Sequence, residues 1–74
     1  MDLPEQAALA LETLRREGRD VRFEVAKVCG DARWRLSAHY VGRAGDAVRI
    51  GLLYSGDRLA LEALRDRLAG TASA

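Results

Sequence analysis

The hydrophobic period changes twice in this chain: it starts near 3.6, drops to 2, and returns to about 3.6 before residue 74. A pattern of one period cannot bury its apolar residues in an element of the other. The order helix, strands, helix is therefore imposed before any side-chain chemistry is considered. Ala7, Ala10, Leu11 and Leu14 make the first helical stripe. Asp2 and Glu5 have capping-box spacing, and Pro4 sits where a missing N–H costs nothing. Arg15 and Arg16 suit the last turn, and Gly18 offers a left-handed stop. A helix over residues 3 to 17 is expected.

Val21, Phe23 and Val25 then alternate with Arg22, Glu24 and Ala26. Lys27 breaks the alternation, so this strand should end or bulge near Val28 and Cys29. Gly30–Asp31 is a turn signal. A second strand sets Trp34, Leu36, Ala38 and Tyr40 against Arg33, Arg35, Ser37 and His39. After the Gly42, Gly45 and Asp46 loop, a third strand should turn Val48, Ile50, Leu52 and Tyr54 inward. Arg49, Gly51 and Leu53 then face outward. Ser55 and Asp57 are candidate caps for a second helix with Ala60, Leu61, Leu64 and Leu68 on its inner stripe. Arg58–Glu62 and Glu62–Arg65 have ion-pair spacing, and Gly70 reads as the stop. One α+β domain over 1–70 with a flexible tail at 71–74 is expected.

Short turns favour an antiparallel meander, and two helical stripes need one apolar sheet face. The reading is a two-layer α-β-β-β-α fold with both helices on that face. At this length a core is small, and oligomerisation is a common remedy. One cysteine, Cys29, permits no internal disulfide, and with one histidine it leaves too few ligands for a structural zinc site. Cys29 itself reads as a half-buried thiol. A homodimer without metal or cofactor is expected.

Twelve cations against eleven acids give net +1, which is no global electrostatic argument for nucleic acid, whose binding domains are usually markedly basic. Eleven of those cations are arginine, as a GC-rich genome would also produce. The opening segment is acidic with no apolar core after it, and no run approaches a membrane span, so a cytoplasmic location is expected.

The second sheet face carries Arg22, Arg33, Arg35, His39 and Arg49, with Glu24 as its one obvious acid. Three readings stay open for it. Guanidinium forks can dock phosphate or an acidic protein. Arginine stems can simply solvate an uncovered sheet. Ala26, Val28, Val41, Gly51 and Leu53 could soften the face for sheet-to-sheet dimerisation. His39 has Ser37 two positions away, but nothing around them forms a nucleophile elbow. Trp34, Tyr40, Tyr54 and Phe23 fall with the aliphatic residues rather than on a base-stacking face.

The order of elements, with Pro4 and a leucine-bearing helix, then Phe23–Glu24–Val25, then a leucine-rich last helix, resembles the double-stranded-RNA-binding domain. That resemblance implies RNA binding. Where the family has a Gly-Pro-x-His loop, this chain has Gly30–Asp31–Ala32. Where the family has a lysine cluster, it has Asp57–Arg58–Leu59–Ala60. The order is also similar to that of small messenger-RNA-cleaving toxins, whose active histidine follows glycine and serine, a context His39 lacks. The functional expectation is a non-catalytic module that binds a protein partner, or its own copy, through the arginine face or an edge strand. A nucleic-acid-binding or RNA-processing module is the alternative.

Overall fold

Helical-period segments form helices and period-two segments form strands, in the expected order. The computed structural model describes residues 2–73, with side chains through Gly70. α1 spans Glu5–Arg16, β1 Arg22–Lys27, β2 Trp34–Val41, β3 Ala47–Ser55 and α2 Arg58–Ser73. The strands pair antiparallel in the order β1-β2-β3, leaving β1 and β3 as edges.

Both helices pack on one face, α2 chiefly over β1 and β2 and α1 over β3. Leu11 and Leu14 from α1 meet Leu36, Ala38 and Leu52 from the sheet and Leu61 and Leu64 from α2. Phe23, Val25, Trp34, Tyr40, Ile50 and Leu68 close the margins of this core. No helix among the described residues is long and apolar enough to cross a membrane.

α1 ends as its sequence signals. Gly18 has φ +71°, and its N–H and that of Arg19 donate to the carbonyls of Arg15 and Leu14. This is a Schellman closure, and the positive φ is the reason for glycine. The start of α1 differs from expectation. Pro4 is the N-cap and no side chain caps the helix, so Asp2 and Glu5 form no capping box. With its fixed φ and extended ψ of 152°, Pro4 leads the chain in and its carbonyl accepts the Ala8 N–H at 3.0 Å.

The start of α2 uses both candidate caps. Asp57 Oδ1 accepts the Ala60 N–H at 3.1 Å, and Ser55 Oγ accepts the Asp57 N–H at 3.0 Å. Arg58 pairs with Glu62 at 3.5 Å, whereas Arg65 turns to Asp66 at 3.2 Å rather than to Glu62. Gly70 does not end α2; its φ is not positive, and the helix runs on to Ser73. The expected tail at 71–74 falls on residues whose side chains, and for Ala74 the backbone, lie outside the described residues.

The consequential departure lies in β3. Ser37 pairs with Gly51 but Leu36 pairs with Leu53, so Leu52 is an extra residue on β3. β1 ends at Lys27, just before Val28, as the break in its alternation allowed; the bulge belongs to β3 and had no expectation attached to it. An inserted residue reverses the alternation beyond it. Leu53 therefore packs against the core and Tyr54 turns to the other face, opposite to the expected arrangement.

Candidate functional site

Because both helices occupy one side, the second sheet face has no covering layer among the described residues. Its residues follow from the register. Arg22, His39 and Arg49 form one row across β1, β2 and β3. Glu24, Ser37 and Gly51 form the next row, and Ala26, Arg35 and Tyr54 the third. Arg33 stands just before β2, in the β1–β2 hairpin.

The five expected site residues thus share a face, but not a role. Arg33 is committed to Asp31, donating from Nη2 at 2.7 Å, from Nε at 3.0 Å and from its backbone N–H. That contact holds the Asp31 carboxyl below its ordinary range and raises Arg33 above its own. The same guanidinium lies 5.5 Å from the centre of the Tyr54 ring. Tyr54 and Asp31 were both missed as members of this face. The visible signal was the Leu52–Leu53 pair, two adjacent apolar residues that leave strand parity undecided.

Arg35 lies down over the middle of the sheet. Its Nε donates to Ser37 Oγ at 3.0 Å, and this cover leaves Ser37 only 1% exposed. Gly51 makes room beside it. A Cβ there would stand 3.2 Å from the Tyr54 hydroxyl and 3.6 Å from Arg35 Cδ, so both side chains extend across the glycine. Ser37 is thus a buried hydroxyl acceptor for Arg35, and among the described residues no base hydrogen-bonds to it as nucleophilic chemistry requires.

The row Arg22–His39–Arg49 differs from everything around it. Among the described residues, neither arginine side chain makes a hydrogen bond, an ion pair or a ring contact, and both are exposed. Between them, His39 Nε2 is buried and makes no hydrogen bond; the nearest acid, Glu24 Oε1, is 3.6 Å away. A shallow depression of about 530 Å³ runs along the row at this end of the sheet, lined also by Asp20, Tyr40, Val41, Ala47 and Val48.

A second acid–arginine cluster lies off this face. Glu17, just past α1, accepts Arg43 Nη2 from the β2–β3 loop at 3.0 Å and Arg19 Nε at 3.4 Å. Arg19 also donates to the Val41 carbonyl at 2.9 Å. Bonding to Arg43, then to Arg19, holds the Glu17 carboxyl below its ordinary range. These contacts tie the end of α1 to the hairpin and are structural. Cys29 is exposed in the β1–β2 turn rather than half-buried. No group of three or more His, Cys, Asp and Glu side chains that could hold a metal ion occurs among the described residues.

No family model matches the chain, and no curated protein or solved structure does so either. Whatever the face does must therefore be argued from its geometry.

Proposed function

We propose that this chain is a small non-catalytic interaction module, homodimeric in solution, that binds a protein partner through its open sheet face. One observation carries the reading: a sheet face without a covering layer presents two guanidiniums, Arg22 and Arg49, that no acid among the described residues pairs. Two unpaired forks in one cross-strand row are what a surface needs for recognising a second molecule. The edges β1 and β3 add unpaired backbone that can extend such a contact. The small core supports association with a second copy.

The test is capture of a partner from cell extract by the wild-type chain, by an Arg22→Glu/Arg49→Glu variant, and by Arg16→Glu/Arg65→Glu as a charge-matched control on the helices. Loss of the partner in the first variant alone supports the reading. Retention in both variants removes the open face as the working surface. Sedimentation equilibrium across the micromolar range tests the homodimer, and a monomer at every concentration would eliminate it.

One observation favours a second reading, a nucleic-acid-binding module. The bulge puts Tyr54 on the arginine face, where an exposed aromatic could stack on a base. This reading expects salt-sensitive RNA binding that weakens when Arg33 and Arg35 become alanine.

A further inference from the structure

We infer that the Arg22–His39–Arg49 row is a carboxylate-binding site, and that the partner docking on it is a protein presenting an acidic, extended segment. The inference rests on the open-face reading and adds the chemistry of what occupies it.

The spacing comes first. Neighbouring strands lie about 4.8 Å apart, so the backbones of Arg22 and Arg49 stand roughly 10 Å apart on either side of His39. Alternate residues of an extended segment stand about 7 Å apart on one face. Long arginine stems span the difference, so each fork can meet one carboxylate of an acid-x-acid segment laid across the row.

The charge pattern separates carboxylates of a protein from the phosphates of a nucleic acid. Two acids flank the row, Glu24 beside His39 and Asp20 at the end of the depression. A strand of nucleic acid carries charge on every nucleotide and would press phosphates against those acids. A protein segment can place its acids on the arginines and neutral residues on Asp20 and Glu24. Beyond the row lie Val41, 60% exposed, and Ala47, an apolar shelf that suits a side chain rather than a sugar–phosphate backbone. Arg33, itself clamped by Asp31, already lies against the Tyr54 ring, so a base could stack only on the face that Arg33 leaves.

Arg22 and Arg49 also stand apart from the other arginines of this face. Arg33 and Arg35 are engaged with Asp31 and Ser37 inside the chain, so neither is available without breaking an internal contact.

The experiment is a titration of isotope-labelled protein followed by amide resonances, with three probes. One is a peptide of alternating glutamate and serine, the second an oligouridylate of the same net charge, and the third inorganic phosphate. The expected result is saturable movement of the Arg22, His39 and Arg49 resonances by the peptide, with weaker effects of the other two. Arg22→Gln or Arg49→Gln should lower peptide affinity about three- to fivefold, the worth of one exposed ion pair. Arg22→Glu/Arg49→Glu should lower it at least about tenfold, and the charge-matched Arg16→Glu/Arg65→Glu on the helices less than about twofold. The dispersion of the same spectra reports whether each variant is folded. Equal weakening by Arg16→Glu/Arg65→Glu would reduce the effect to net charge and overturn the site. Tighter binding of the oligouridylate to the row would overturn the carboxylate assignment and leave the open face as the working surface. If no probe and no increase in protein concentration moved that face, both the site and the open-face reading would fall.

Discussion

Leu36 and Ser37 are neighbours in β2 and almost equally out of water, 0% and 1% exposed, yet they are buried by different means. Leu36 faces the helices and is covered by an entire layer. Ser37 faces the other way and is covered by the side chain of Arg35 lying over it. On the core face, burial is collective and comes from the fold. On the open face it is local, made by one flexible stem that solvent can replace. Substitutions on the second face should therefore leave the first largely undisturbed.

Truncating the two neighbours tests that contrast most severely. Leu36→Ala removes a side chain from a close-packed interior and should cost about 2–5 kcal/mol. That is a large part of the roughly 5–10 kcal/mol that holds a small domain together. Ser37→Ala should cost only about 0.5–1.5 kcal/mol, because Arg35 loses one acceptor and water can supply another. Urea unfolding of both variants measures the gap, and equal losses would show that the open face is packed like a core.

The bulge at Leu52 offers the next largest effect. Leu53→Asp should cost roughly 2–3 kcal/mol, since it places a charge against the core. Tyr54→Asp, one residue further on the exposed face, should stay within about 1 kcal/mol. Unbroken alternation along β3 would reverse that order, so thermal melts of the pair decide which register the strand adopts.

That reversal shows what the sequence could and could not convey. Elements, meander and core stripe were legible because period alone separates helix from strand, and because Leu11, Leu14, Leu36, Leu61 and Leu64 permit one burial solution. Parity beyond Leu52 was not legible, since two adjacent leucines fit either face until the pairing with Leu36 is known. The arginine face was foreseen as a list of five residues. Its division into engaged and unpaired members was not, because that depends on Asp31 and Ser37 reaching Arg33 and Arg35 in space.

The helix starts carry a smaller contrast. Asp57 caps α2 by accepting the Ala60 N–H, while α1 begins at Pro4 with no side-chain cap. Asp57→Ala should cost about 1 kcal/mol. Asp2→Ala should change stability by less than about 0.5 kcal/mol, since Asp2 only approaches Arg67 at 4.0 Å on the surface. Chemical denaturation of both variants checks the pair, and comparable losses would restore the capping box at α1.

The smallest effect is electrostatic and touches both sides of the molecule. Glu17 is held below its ordinary range by Arg43 and Arg19 at the end of α1, and Asp31 by Arg33 at the edge of the open face. A carboxyl whose folded value is depressed stabilises the fold above its unfolded value, near 4, and loses that contribution as pH falls through the folded value. Stability should therefore decline on acidification below the ordinary carboxylate range, in low salt, by a slight amount for groups so exposed. Added salt should shrink the decline, because screening weakens surface pairs. Glu17→Gln combined with Asp31→Asn should flatten it further while leaving the neutral-pH melting curve nearly in place. If the doubly substituted chain kept the full acid-side decline, the loss would originate in other carboxylates. The two arginine clamps would then contribute geometry to the hairpins without contributing measurable stability.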